Sequence, residues 1–290
     1  MIIINTKDMM QIYSILQQKI EQLNAHEILE FQIENDDVDF KVWVDLSHFL
    51  FCKMLTPDIS QTHLIMRFKK LNQKSSFHNE NETVEKKYGS SSTFATLDKN
   101  NQPAFLVHYL KALENVKVDT RIRILNLGVN SGEEFEVIKK YSQNFENLEL
   151  VGIDYCSSAI AVAKENFKDK NISFMVGDIN KLEDLDLGTF DLIISIGTLQ
   201  SSNLDFNKTF MNIVQNYLKN DGAMILGFPN CRWIDGQMIY GAEVKNYNFS
   251  ELSLLFKDVN YCKKYLQQKK FRVTITGKDY IFLTATSIRK

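Results

Sequence analysis

No two of the four cysteines (Cys52, Cys156, Cys231, Cys262) stand close enough in the chain to form a CxxC pair. Neither a disulfide framework nor a thiolate zinc site is expected, and the thiols read as buried packing groups. The five histidines (His26, His48, His63, His78, His108) also lack ligand spacing, so no metal is expected. Long apolar runs are missing too: none approaches the roughly 20 residues of a membrane helix. Met1-Ile2-Ile3-Ile4-Asn5 has neither the positive region nor the apolar length of a secretion signal. The expectation is a cytoplasmic protein with no membrane partner. The formal net charge is only −2 over 290 residues, so no global positive field draws the chain to nucleic acid. Neither a GxGxxG dinucleotide fingerprint nor a GK[ST] phosphate loop occurs.

What is there falls into three stretches. In the first, residues 1–71, Met9, Ile12, Tyr13, Leu16, Ile20 and Leu23 recur at intervals of three and four, one face of a helix. Leu29, Phe31 and Ile33 alternate with polar residues, and Val38, Phe40, Val42 and Val44 alternate likewise, with Asn35-Asp36-Asp37 between them. That pattern predicts a hairpin. A short helix over 46–55 and a strand over 62–69 would complete an α-β-β-α-β subdomain. Residues 72–101 are polar and aperiodic and read as a linker or cover segment.

The third stretch, 102–290, opens with Pro103 at the first position of a helix. Strands are expected at 122–127, 148–153, 171–176, 190–196 and 222–228, alternating with helices at 132–143, 157–167, 204–219 and 249–269. Such alternation argues for a parallel sheet covered on both faces. Phe271–Thr276 and Tyr280–Ala285, joined by Gly277-Lys278-Asp279, form a terminal hairpin. The fold class expected is α/β: a doubly wound, mostly parallel seven-stranded sheet with an antiparallel C-terminal hairpin strand, plus a small N-terminal α+β subdomain.

In an open sheet of this kind ligands bind beyond the carboxyl ends of the strands, where strand order reverses. The first strand there ends in Asn126-Leu127-Gly128-Val129-Asn130-Ser131-Gly132. Gly128 lets the backbone approach a ligand, and the following helix offers free N–H groups. Ser131 and Glu134 have the spacing of a capping box. Leu150-Val151-Gly152-Ile153-Asp154 is a second strand ending in an acid, and Phe174-Met175-Val176-Gly177-Asp178 a third. The strand through Phe190–Ile196 runs into Gly197-Thr198, and Gly222–Gly227 makes a fifth. In this order the motifs resemble those of the class I S-adenosylmethionine-dependent methyltransferases, over roughly 103–228 and the terminal hairpin. The departures are Asn126 in place of the first acid and Asn130 in place of the middle glycine. Glu133 and Glu134 add carboxylates close to where the methionine end of the cofactor would lie. The resemblance implies a cofactor set of Asn126, Gly128, Asn130, Asp154, Tyr155, Asp178, Ile179 and Ile196. Asp154 would take the ribose hydroxyls, and Asp178 with the Ile179 backbone N–H the adenine. Asp191 and Cys156 are assigned to structure.

Two segments are candidate acceptor walls: the loop 197–201, with Thr198 and Gln200, and the long connection 229–249, with Arg232, Trp233, Tyr240 and Lys245. Trp233 and Tyr240 have a packing role as their alternative, and Arg232 is a candidate carboxylate clamp. Tyr88 and Phe94 are candidate covers. No Asn/Asp-Pro-Pro-aromatic motif follows the fourth strand, which with the net charge argues for a small-molecule acceptor rather than a nucleic-acid base. Methyl transfer needs a base only if the nucleophile keeps its proton, and no catalytic base is apparent. The first 71 residues are the candidate surface of a homodimer. Two readings compete: a non-catalytic S-adenosylmethionine-binding or interaction module with the same fold, and a nicotinamide oxidoreductase, which the broken GxGxxG disfavours.

Overall fold

The computed structural model describes residues 2–35, 38–75, 89, 92, 98–201, 204–240 and 253–289. Tyr88, Phe94 and Lys245, and the side chain of Tyr240, lie outside the described part. The chain gathers into two compact units, one of residues 1–77 with 232–240, the other of 78–231 with 241–290. Among the described residues no helix is long and apolar enough to cross a membrane.

The first unit holds a four-stranded sheet in the order β1-β2-β4-β3, formed by β1 (Ile2–Ile3), β2 (Ile28–Glu34), β3 (Cys52–Ile59) and β4 (His63–Lys70). β1 runs parallel to β2, and the other two pairings are antiparallel. Helix α1 (Met9–Glu21) starts where the Asp8 carboxylate accepts the Met10 N–H, and it buries Ile12, Leu16 and Ile20 as its spacing predicts. At its other end the Lys70 ammonium donates to the carbonyls of Ile20 and Leu23. The expected strand through Val38–Val44 is instead helix α2 (Phe40–Phe49), capped by Asp39. Phe40 and Val42 are exposed, whereas Trp43, Leu46, Ser47 and Leu50 are buried. Their spacing of three and four residues is the period that decided the element. The hairpin partner of β2 is accordingly β4, and the order is β-α-β-α-β-β rather than α-β-β-α-β. Phe31, Trp43 and Phe68 form the centre of this core, with the Phe31 and Phe68 rings edge to face at 5.1 Å.

Strands β10 (Cys231–Ile234) and β11 (Gln237–Tyr240) form a two-stranded ribbon. Within the first unit Ile234 and Ile239 bury against Leu71 and Phe51. The Asp235 N–H donates to the Ser75 carbonyl, and the Asp235 carboxylate accepts the Asn72 N–H.

The second unit is built on a seven-stranded sheet in the order β12-β13-β9-β8-β5-β6-β7. Its strands are β5 (Arg123–Leu127), β6 (Glu149–Asp154), β7 (Ile172–Val176), β8 (Phe190–Ile196), β9 (Leu218–Pro229), β12 (Phe271–Gly277) and β13 (Tyr280–Ser287). β5 to β9 pair in parallel, and β13 runs antiparallel to both β9 and β12. The expected fold class therefore stands. Helices α3 (Pro103–Asn115), α4 (Glu133–Tyr141), α5 (Ser157–Asn166), α6 (Phe206–Asn212) and α7 (Ser253–Gln268) alternate with the strands. β5 pairs with β6 on one side and β8 on the other, so strand order reverses at its end. Asp191 is a structural residue: it accepts the Arg123 N–H at 2.8 Å and the Lys219 ammonium at 3.0 Å.

Candidate functional site

The turn after β5 is stitched to the end of β6. The N–H groups of Gly128 and Val129 donate to the Ile153 carbonyl at 2.8 and 3.1 Å. The next N–H, of Asn130, donates to the Asp154 carboxylate at 2.9 Å. Three residues of this turn take left-handed φ, Gly128 at +77°, Asn130 at +48° and Gly132 at +97°. Asn tolerates that region better than most residues, which accounts for position 130 keeping the turn without a glycine. Glycine at 128 has a second cause, since a Cβ there would overlap the Thr198 side chain in the loop after β8.

Asp154 is half-buried, and each of its oxygens accepts one backbone N–H: Oδ2 from Asn130 and Oδ1 from Cys156, both at 2.9 Å. Burial raises its pKa above the ordinary carboxylate value, while those backbone bonds pull the other way. A carboxylate has about four acceptor sites, so capacity remains for other donors. Its own carbonyl accepts the Gly177 N–H, which brings the end of β7 alongside. Asp178 follows there and caps a 3-10 turn (Ile179–Leu185), accepting the Asn180 N–H at 2.9 Å. Ile179 is buried, and Tyr155 is 55% exposed beside Asp154.

The capping box expected of Ser131 and Glu134 does not form. Gly132 is the N-cap without a side-chain bond, and the Ser131 hydroxyl donates to Glu133 at 2.8 Å. Glu134 turns inward, where its Oε2 accepts from Asn126 Nδ2 at 3.2 Å. Its Oε1 pairs with the Lys99 ammonium at 2.6 Å. Lys99 lies on a short 3-10 turn (Lys99–Asn101), in the segment that reads from sequence as linker or cover. A lone lysine in a polar tract carries no signal there; only the fold brings it to the turn. Burial works against its charge, but Glu134 and Glu133 hold its pKa above the ordinary lysine range. Glu133 is shifted upward by burial, with Lys99 opposing. Asn126 is fully buried, and its Oδ1 has no partner among the described residues.

In the loop after β8, Ile196 is buried and the Thr198 hydroxyl donates to its carbonyl at 3.4 Å. Gln200 Oε1 is a buried acceptor without a partner among the described residues. Arg232 and Trp233 stand in the first unit's ribbon: Trp233 is buried, and the Arg232 guanidinium lies over the Phe51 ring at 5.4 Å. The structure thus sets Gly128 against Thr198, joins Asn130 to Asp154 and ties Asn126 to Glu134.

The family model described as a methyltransferase domain matches residues 119–275, just over half of the chain. The chain belongs to this methyltransferase domain family. Among curated proteins, a malonyl-[acyl-carrier protein] O-methyltransferase of Bacillus anthracis is 35% identical over 107 residues, covering 37% of each chain. One of Bacillus cytotoxicus is 32% identical over 127 residues, 43% of this chain and 42% of the relative. The chain thus spans about two-fifths of the length of these relatives. A solved precorrin-6y C5,15-methyltransferase from Geobacter metallireducens is 13% identical, covering 66% of this chain and 94% of that one, at a TM-score of 0.44. The N-terminal domain of EvdMO1 with SAH bound is likewise 13% identical, covering 68% and 85%, at 0.45.

The residues at the end of β5 and β6 fit S-adenosylmethionine, the cofactor that the sequence resemblance implies. Asp154 keeps acceptor capacity at the reversal of strand order. Among the described residues Asn126 Oδ1 is a buried acceptor without a donor.

Proposed function

We propose that the second unit transfers a methyl group from S-adenosylmethionine to a small-molecule acceptor. The observation that carries this reading is the alignment of Gly128, Asp154 and Asp178 at the ends of three adjacent parallel strands, within a methyltransferase-family domain. The cofactor supplies an electrophilic methyl on a sulfonium. The protein's part is to hold donor and acceptor in line, which by itself removes much of the barrier. In this reading Asp154 accepts the ribose hydroxyls with Tyr155 beside it. Asp178 and the Ile179 N–H take the adenine, and Ile196 packs below. Thr198 and Gln200 face the acceptor.

An acceptor whose nucleophile is already deprotonated at neutral pH, such as a carboxylate, suits a chain with no histidine beyond His108. The relatives named for O-methylation of a malonyl group on acyl-carrier protein support a carboxylate acceptor. Residues 102–290 then carry catalysis. Residues 1–71 are an auxiliary subdomain and candidate dimer surface, in a cytoplasmic enzyme. Within the first unit Trp233 is buried and Arg232 lies over the Phe51 ring, which supports a packing role for both.

Calorimetric titration with S-adenosylmethionine, S-adenosylhomocysteine and NAD tests the reading. The first two should bind and NAD should not. Asp154→Ala should weaken S-adenosylhomocysteine by about tenfold or more, the scale of a lost charge-assisted bond of ~1.5 kcal/mol. Unchanged affinity in a folded Asp154→Ala protein would sink it.

A further inference from the structure

The Lys99–Glu134 pair is buried at a place where burial is costly. The Glu134 side chain is 1% exposed and the Lys99 side chain 15%. Two charges taken out of water are repaid by their mutual attraction only when further bonds complete them, so a buried pair is a poor stabilising device by itself. Here completion is partial. Asn126 donates to Glu134, but Asn126 Oδ1, Glu133 Oε2 and Asn100 Oδ1 are buried acceptors without partners among the described residues. The cluster behind the glycine turn therefore gathers two carboxylates, two amide oxygens and one ammonium. Its acceptors outnumber its donors.

An amino-acid zwitterion has the complementary form. Its ammonium brings three N–H donors and a positive charge, and its carboxylate brings the anion that a displaced lysine needs. S-adenosylmethionine carries such an end. With its ribose on Asp154, that end lies towards the neighbouring turn after β5, beside which this cluster stands. We propose that Glu134 and Asn126 receive the ammonium, and Lys99 the carboxylate, of the amino-acid end of the cofactor, the Lys99–Glu134 pair parting to admit it. This rests on the cofactor assignment above. In the exchange each buried charge trades one partner for another of the same sign, so none is left unpaired, and the Asn126 carbonyl gains its donor. The negative charge at the end of β5 then comes not from residue 126 but from the first turn of α4. The same contact explains why Glu134 turns inward rather than closing a capping box.

The test is calorimetry on the full chain with S-adenosylhomocysteine, its decarboxylated and deaminated counterparts, and 5′-methylthioadenosine, which lacks the amino-acid end. The wild-type chain should prefer the intact ligand over each truncated one by at least about tenfold. Lys99→Met should abolish the preference over the decarboxylated ligand, and Glu134→Gln the preference over the deaminated one. Both variants should bind 5′-methylthioadenosine within about twofold of wild type, which also reports that the site is folded. A preference that survives Lys99→Met overturns the proposal, as does a wild-type chain indifferent to the missing carboxylate. That second measurement decides even if Lys99→Met does not fold. A purely structural pair would lower the melting temperature of the variants and leave the ligand preferences intact. A wild-type chain that binds neither S-adenosylhomocysteine nor 5′-methylthioadenosine would instead overturn the cofactor assignment itself.

Discussion

Gly128 is constrained from two sides, and the two can be measured apart. Its φ of +77° is open to glycine and strained for other residues, and a Cβ would overlap Thr198 in the facing loop. Left-handed backbone alone costs an alanine roughly 1–2 kcal/mol. Gly128→Ala should therefore destabilise the chain by more than that in chemical denaturation. Adding Thr198→Gly should recover the part due to overlap and leave the backbone part. No recovery would mean that the overlap is relieved by movement of the loop. Asp154 shows a different residue-scale constraint. Its two backbone bonds fix the carboxylate before any ligand arrives, so a ribose would meet an oriented acceptor rather than a free side chain.

At the scale of elements, the ribbon β10–β11 belongs by its contacts to residues far away in sequence. Ile234 and Ile239 bury against Leu71, and the Leu71 N–H donates to the Phe51 carbonyl at 2.8 Å. Emptying a buried isoleucine site costs about 2–5 kcal/mol, the low end for a small satellite cluster. Ile239→Ala should thus speed hydrogen exchange at the Leu71 amide while leaving the amides of β5 and β6 protected. Uniform acceleration across both sets would show that the ribbon is not a local support. This ribbon had no signal in the sequence, where Trp233 and Tyr240 read as a small core or a ligand wall and Arg232 as a carboxylate clamp. By contrast, the alternation of β5 to β8 with helices was legible, since each of these strands is a short apolar run followed by glycine or ended by an acid. Helix α2 was misread because Val38, Phe40, Val42 and Val44 also satisfy a period of two. The exposure of Phe40 and Val42 shows that those side chains were never the buried face. The Gly128–Asp154–Asp178 series was visible from the sequence because each residue closes its own strand. The Lys99–Glu134 contact was not, because it joins residues 35 positions apart that share no local pattern.

Across the whole molecule, carboxyl groups shifted in opposite directions give a pH dependence with two limbs. Burial raises the Asp191 pKa in part, but the Arg123 N–H and the Lys219 ammonium outweigh it and hold the group below the ordinary carboxylate value. A folded pKa below the unfolded one means stability present above about pH 3.9 and lost as pH falls through the folded value. Asp258, on α7, is pushed up to about 6 by burial, with Lys257 opposing. There the folded state holds the proton more tightly than the unfolded one. That contribution is full below the unfolded value of about 3.9 and is lost as pH rises through the folded value. Burial shifts Asp154 and Glu133 in the same direction as Asp258. Asp258→Asn should accordingly raise the melting temperature more at pH 7.5 than at pH 4.5, because only the charged carboxylate is penalised. Asp191→Asn should do the reverse, lowering it clearly at pH 7.5 and little at pH 3. Scanning calorimetry of the two variants and the wild type over this range reads both limbs. An Asp258→Asn gain of equal size at both pH values would mean that this carboxyl does not titrate between them in the folded chain.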